Sequence, residues 1–201
     1  MVERFDLSET QKNQLSRFVQ VLEVWSVRTN LVSKNDRNKL VSRHIVDSLS
    51  LVQHELISGQ GALLDLGSGA GFPGLPLAVY YPKLNVTLLD SRRKKTVFLK
   101  EVVAQTGLKN VNVICARIEE LSDDAVYDYI VARAVARLSV LWAWSCSHLK
   151  RTGILLALKG GALDDEVEEL KSNHRVHCKI LPSVQRIKDQ SDRKIVVVSV
   201  G

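Results

Sequence analysis

The sequence has few cysteines and no long apolar run, and each shortage excludes a class of protein. Cys115, Cys146 and Cys178 are odd in number and far apart, which argues against a disulfide framework and predicts a reducing, cytoplasmic location. Uninterrupted apolar runs are short, for example Ile195–Val198, whereas a membrane span needs about 20 consecutive apolar residues. The first residues contain no apolar core of a secretory signal. We therefore expect a cytoplasmic protein without a membrane segment.

Aromatic residues and clustered metal ligands are also scarce. Aromatic side chains make up 5% of the 201 residues, and no segment resembles the aromatic-rich strands with which RNA-recognition sheets stack bases. His174, His177 and Cys178 lie close together, but no second ligand cluster accompanies them, so no metal site is expected. The length fits one domain with a short appendage.

Basic residues outnumber acidic ones, 28 to 22, for a net charge of +6. Ser26–His44 holds five basic residues and one acid, and Asp90–Glu101 holds five and two. Such segments permit binding to a polyanion, with phosphate contacts rather than base stacking dominating. Arg92 and Arg93, followed by Lys94 and Lys95, stand at the start of a predicted helix, where the helix dipole is unfavourable for cations. This placement favours a phosphate-binding role for them. Arg137 and Lys159, predicted near strand ends, are further candidates for contact with such a polyanion, including a nucleic acid.

The hydrophobic pattern predicts helices first and then alternating strands and helices. Ser8 and Gln11 form a capping-box pattern before a helix-periodic stretch, and a second amphipathic helix fits 39–56. Alternation after Gly61 predicts a parallel sheet covered on both faces, closed by an antiparallel hairpin. The predicted strands are 62–66, 86–89, 111–115, 127–132, 153–158, 176–181 and 195–200; the predicted later helices are 73–81, 94–106, 137–148 and 164–173.

A glycine loop after the first strand carries the chemical signal, and two cofactor classes fit it. Gly69-x-Gly71-x-x-Gly74, with Asp90 downstream, matches the dinucleotide pattern and leaves an NAD(P)-dependent oxidoreductase as an alternative. Asp65-x-Gly67-x-Gly69-x-Gly71 instead matches the S-adenosylmethionine loop, in which the acid helps to bind the methionine ammonium directly or through water. The second pattern is favoured, because Glu119 offers an acid for adenine and no separate hydride-acceptor domain fits. A non-catalytic RNA-binding module with the same fold, and a methyltransferase of small molecules or proteins, also remain open.

Longer segments resemble one family in order along nearly the whole chain. They are Asn30–Ser33, Arg43–Leu49, Leu64–Leu77, Leu88–Ser91, Arg117–Glu120, Ala132–Leu138, Ala157–Gly160 and Arg193–Val197. The sequence resembles the RsmG family, also called glucose-inhibited division protein B, of bacterial small-subunit rRNA guanine-N7 methyltransferases. The resemblance implies a Rossmann-like, seven-stranded class I methyltransferase domain (59–201) behind an N-terminal helical extension (1–58).

The resemblance also implies a cofactor, a partner and a set of site residues. The cofactor is S-adenosyl-L-methionine, and the partner is 16S rRNA or the small ribosomal subunit, methylated at guanine N7 in the decoding-region loop. We expect catalysis by positioning, with no general base and no catalytic histidine or cysteine, because N7 carries no proton. The expected cofactor-binding residues are Gly67, Gly69, Phe72, Asp90, Ile118, Glu119 and Arg133.

His44 and Asp47 lie one helical turn apart and allow two interpretations. The favoured one is an interhelical or cap hydrogen bond that fixes the N-terminal helices to the catalytic domain. The other is a role in positioning the substrate.

Overall fold

The computed structural model describes residues 5–28, 37–122, 124, 126–183 and 193–201. They form six α-helices and one seven-stranded sheet. In chain order the elements are α1 (Glu9–Arg28), α2 (Arg37–Gln53), β1 (Gln60–Leu66), α3 (Gly74–Tyr80), β2 (Lys83–Leu89), α4 (Arg93–Thr106), β3 (Val111–Ile114), β4 (Tyr127–Arg133), α5 (Leu138–Ser145), β5 (Leu149–Gly160), α6 (Asp164–Asn173), β6 (Val176–Pro182) and β7 (Arg193–Val200).

The strands lie in the order β3-β2-β1-β4-β5-β7-β6. The first five are parallel to their neighbours, whereas β7 runs antiparallel to both β5 and β6. This confirms the predicted α/β sheet with a closing antiparallel hairpin. The chain places β2 and β3 on one side of β1, and β4 and β5 on the other side. At such a reversal of strand order, a crevice opens at the carboxyl ends of the strands. Within the described ranges, no helix is both long and apolar enough to cross a bilayer.

The N-terminal helices share one hydrophobic core with the sheet domain. The predicted capping box is confirmed: the Gln11 amide N–H donates to Ser8 Oγ, and the Ser8 N–H donates to Gln11 Oε1 at 2.9 Å. The Phe18 ring of α1 packs 5.1 Å from that of Phe72, and Trp25 packs edge-on against Phe98 of α4 at 5.6 Å. The division at residues 58 and 59 stays a prediction, and the extension is packed on the catalytic half through these contacts.

Two predicted helix ends were wrong. The helix predicted over 137–148 ends at Ser145, after which Cys146–His148 form a 3-10 turn and β5 begins at Leu149. A register shift between Tyr127 and Tyr129 accommodates the longer β5, and an irregular strand of this kind lacks a clean alternation in sequence. The helix predicted over 39–56 ends at Gln53, because Glu55 takes a left-handed φ of +52° that a right-handed helix does not accommodate.

Candidate functional site

A cavity of about 560 Å³ lies at the carboxyl ends of the first four strands. Across it the lining changes with the strand order: from the segment after β3, to the end of β2, to the loop after β1, to the end of β4, where α2 adds His44. All seven residues that the sequence marks for cofactor binding line this cavity: Gly67, Gly69, Phe72, Asp90, Ile118, Glu119 and Arg133. The structure therefore brings together residues that are far apart in sequence.

The glycine loop is held against the end of β2. The backbone N–H groups of Gly67 and Ser68 both donate to the carbonyl of Leu89, at 2.9 and 3.0 Å. Gly67 and Gly69 have φ of +72° and +56°, the left-handed region that glycine occupies without a Cβ penalty. The loop thereby keeps its backbone at the cavity wall, where a ligand can approach it closely.

Asp90 joins the glycine loop to α4. Its Oδ2 accepts a hydrogen bond from the Gly69 N–H, and its Oδ1 accepts one from the Arg92 N–H, both at 2.9 Å. Arg92 is the residue before the first turn of α4, so the carboxylate lies at the end of the helix that favours negative charge. Each carboxylate oxygen keeps a further lone pair, which leaves Asp90 able to accept hydrogen bonds from ligand hydroxyls.

Asp65 lies beneath the loop, outside the cavity lining. Its side chain is fully buried, and its Oδ2 accepts a hydrogen bond from the Gly74 N–H at 3.0 Å. Its Oδ1 is buried and has no hydrogen-bond partner in the part of the chain that the structure describes. Burial raises the pKa of this carboxyl to about 7, against the Gly74 hydrogen bond, which lowers it. From this position Asp65 acts through the loop that it supports.

Arg133, His44 and Phe72 form the β4 end of the cavity. Nη1 of Arg133 lies 2.6 Å from Nδ1 of His44, and its guanidinium lies over the Phe72 ring, 5.3 Å from the ring centre. The His44 ring packs against the same phenylalanine at 5.2 Å. Burial, followed by the charge of Arg133, lowers the pKa of His44 to about 3. His44 is therefore neutral at physiological pH.

Asp47 forms a second connection between α2 and the sheet. Its Oδ2 lies 2.6 Å from Nη1 of Arg193, the first residue of β7, in an ion pair. Burial raises the pKa of Asp47, and the neighbouring Arg193 opposes that shift. Together with the His44–Arg133 contact, this pair holds α2 against β7 and β4, so contacts with strand residues take the place of the expected interhelical or cap hydrogen bond.

The residues expected to contact RNA separate into two groups. Arg92 lines the cavity, and Arg93 is exposed at the first position of α4. Arg137 pairs with Glu169 of α6, Nη2 to Oε2, at 2.5 Å. Lys159 has partners on two sides: its Nζ lies 2.7 Å from Glu166 Oε2 and donates to the Ala136 carbonyl at 2.7 Å. RNA contact by these four residues stays a prediction.

Several residues other than those predicted to bind the cofactor also line the cavity. Lys95 lines the cavity from α4, where it stands in a basic run that the pattern treated as a whole. Trp144 also lines it, whereas its neighbour Trp142 is buried in the core. Ala134 and Val135 follow β4, and Ala134 has a φ of +55°. An unusual φ at a non-glycine residue leaves no sequence signal.

The comparisons with known proteins agree with this geometry. A family model described as GidB, rRNA small subunit methyltransferase G, matches residues 11–196. The chain belongs to this family. It is 39% identical over 168 residues to ribosomal RNA small subunit methyltransferase G of Alkaliphilus metalliredigens, covering 82% of this chain and 70% of the relative. It is 37% identical over 197 residues to the protein of the same name from Neisseria meningitidis serogroup A, covering 96% and 91%.

Solved structures confirm the class I methyltransferase fold of this rRNA methyltransferase G family member. A S-adenosylmethionine-dependent methyltransferase from Clostridium acetobutylicum aligns with a TM-score of 0.60 at 13% identity, over 79% of this chain and 92% of that one. Coclaurine N-methyltransferase, bound to N-methylheliamine and SAH, aligns with a TM-score of 0.55 at 22% identity, over 63% and 39%. These likenesses establish the fold, and the family assignment rests on the closer relatives.

Proposed function

We propose that this protein transfers the methyl group of S-adenosylmethionine to N7 of a guanine in 16S rRNA. One observation carries the proposal: in a member of the rRNA small subunit methyltransferase G family, the seven predicted cofactor residues line one cavity at the carboxyl ends of β1 to β4. This is the edge at which open α/β sheets bind ligands. The NAD(P)-dependent alternative has no comparable support.

The cavity residues fit the methyl donor along its length. Ile118 and Glu119 offer an apolar contact and an acceptor for the adenine end, Asp90 offers lone pairs to the ribose, and the loop at Gly67 and Gly69 offers close backbone approach. Bound there, S-adenosylmethionine supplies an electrophilic methyl group on a sulfonium, which guanine N7 accepts with a free lone pair. Because N7 has no proton to lose, the residues need only hold the two reactants in line.

The basic residues at the cavity mouth supply the RNA contacts in this proposal. Among the described residues, neither Arg92 nor Arg93 forms an ion pair with a side chain. Both stand at the start of α4, and Arg92 lines the cavity. Arg137 and Lys159 are instead engaged with α6. We therefore place the phosphate-binding surface at Arg92 and Arg93. Its substrate is 16S rRNA, naked or in the small ribosomal subunit, which fits the cytoplasmic location expected from the sequence.

A methyl-transfer assay tests the proposal. Purified protein is incubated with S-adenosylmethionine labelled in the methyl group and with naked 16S rRNA, assembly intermediates or complete small subunits from cells that lack the activity. We expect transfer in at least one arm, and chemical strand scission at N7-methylguanine locates the product. Stabilisation of the protein against heat by NAD(P) but not by S-adenosylhomocysteine, with no transfer in any arm, would contradict the proposal.

A further inference from the structure

Of the described residues that line the cavity, His44 alone carries an imidazole, and a methyl transfer to N7 needs no base. Its position follows from the strand order. If the adenine end of the donor lies beside β3 and the ribose beside β2, the reacting end extends towards β1 and β4. His44 contacts Arg133 at the end of β4, so it lies at the end of the cavity where the target base is received.

The contact with Arg133 fixes which nitrogen of His44 carries a proton. A guanidinium only donates hydrogen bonds, so Nδ1, 2.6 Å from Arg133 Nη1, is the acceptor. In the neutral ring Nε2 then holds the N–H. Among the described residues no hydrogen-bond partner of this Nε2 is found. The ring itself is held in place by Phe72, 5.2 Å away.

A fixed donor beside N7 distinguishes the two purines. Guanine presents N7 and O6, two acceptors, on one edge, whereas adenine presents N7 and an amino donor there. We propose that the Nε2–H of His44 donates a hydrogen bond to O6 of the target guanine and so selects guanine over adenine at the moment N7 faces the methyl group. This inference rests on the proposed function, and it makes Arg133 the residue that keeps His44 in the donor tautomer.

The neutral state of His44 suits this role. The methyl transfer moves positive charge from the sulfonium to the guanine ring, and a cationic imidazole against that ring would oppose the change. Burial among Arg133 and Arg193 keeps the imidazole neutral, so it donates a hydrogen bond to O6 without adding a charge. An adenine in the same position would place its amino group against the Nε2–H, donor against donor.

The test removes the two partners of the proposed bond separately and together. The substrates are 16S rRNA assembled by splinted ligation with either guanine or 2-aminopurine at the nucleotide that the wild-type enzyme methylates. 2-Aminopurine keeps N7 and has hydrogen in place of O6. For guanine we expect His44→Phe to lower kcat/KM about 10- to 100-fold. For 2-aminopurine the same variant should change kcat/KM less than about threefold, because the partner of His44 is already absent.

Two variants control for structure. His44→Gln places an amide N–H at about the position of the histidine Nε2–H. This variant should recover part of the lost kcat/KM with the guanine substrate. His177→Phe changes an exposed histidine on β6 and should behave as wild type. Unchanged S-adenosylhomocysteine affinity in His44→Phe, by calorimetry, shows that the cavity is intact. Equal losses on both substrates would overturn the inference and leave the proposed function standing, whereas absence of transfer by the wild-type enzyme would remove the proposed function itself.

Discussion

A methyl group added to Gly67 would lie 2.8 Å from Cγ2 of Val135. The glycine loop after β1 and the segment after β4 therefore approach each other more closely than any other residue at this position allows. Gly67 also holds a φ of +72°, so a side chain there meets both strain and a steric contact.

We predict that Gly67→Ala weakens cofactor binding more than its backbone strain explains. The left-handed backbone alone costs about 1 kcal/mol for alanine, and displacement of Val135 distorts the cavity wall in addition. Gly107→Ala is the matched control, because Gly107 has a φ of +68° but no neighbour within 4 Å of an added Cβ. Calorimetry with S-adenosylhomocysteine should show at least about tenfold weaker binding for Gly67→Ala. Gly107→Ala should bind S-adenosylhomocysteine as tightly as the wild-type protein. Equal affinities would refute the role of the Val135 contact.

Asp90→Asn should weaken the loop and the cofactor site together. The carboxylate accepts hydrogen bonds from two backbone N–H groups, whereas an amide offers one oxygen and turns its NH₂ towards the other donor. Loss of a hydrogen bond to a charged group costs about 2 kcal/mol. We expect a lower melting temperature and weaker S-adenosylhomocysteine binding. Asp164→Asn, in the first turn of α6, is the control, and similar melting curves for the two variants would count against this account.

Asp65→Asn should be stabilising, and more so as the pH rises. Burial raises the native pKa to about 7 from an ordinary value of 3.8, so the native state binds the extra proton between these values. Stability from this group is fully present below pH 3.8, is lost as the pH rises towards 7, and is absent above it. The amide oxygen of asparagine still accepts from the Gly74 N–H. Melting temperatures at pH 4.5 to 8.5 should show a gap that widens up to pH 7 and then stays constant; a gap independent of pH would show that Asp65 is ionised throughout.

Lys159 and Glu166 should act as a structural pair. Their side chains are 14% and 19% exposed, their charged atoms are 2.7 Å apart, and Glu166 also accepts a hydrogen bond from the Leu138 N–H at 2.9 Å. The pair thus fixes the segment between β4 and α5. Lys159→Met and Glu166→Gln should each cost about 3 kcal/mol in chemical unfolding, because each leaves a largely buried charge without its opposite charge.

The salt dependence of RNA binding should distinguish the Lys159–Glu166 pair from Arg92 and Arg93. If Lys159 is structural, Lys159→Met leaves the salt dependence of RNA binding unchanged. Arg92→Ser and Arg93→Ser should instead each reduce the slope of log affinity against log salt concentration by about 1, the value for one lost phosphate contact. A reduced slope for Lys159→Met together with an unchanged slope for Glu166→Gln would restore Lys159 as an RNA-contacting residue.

Most of the fold could be predicted from local sequence motifs and from the period of the hydrophobic residues. The Ser8–Gln11 capping box, the strand cores and the antiparallel end were predictable because each depends on neighbouring residues or on a short period. The early start of β5 at Leu149 was not, because a register shift against β4 is decided by the partner strand.

The residues of the candidate site likewise include some that the sequence predicted and some contacts that it could not predict. The cavity residues near the glycine loop follow from a contiguous motif, and those further away came from resemblance to a family. The Asp47–Arg193 and His44–Arg133 contacts join α2 to distant strands, and nothing in the spacing of these residues shows which strand each would meet. The left-handed Ala134 is set by tertiary packing for the same reason.

The Asp47–Arg193 ion pair has a consequence for the timing of synthesis. It fastens the helix that carries His44 to β7, a strand that leaves the ribosome long after α2 has been made. Until β7 inserts between β5 and β6, one of the two ties that hold this wall of the cavity is missing. A nascent chain that has folded its glycine loop therefore still lacks the finished pocket, and the wall that carries His44 is completed last.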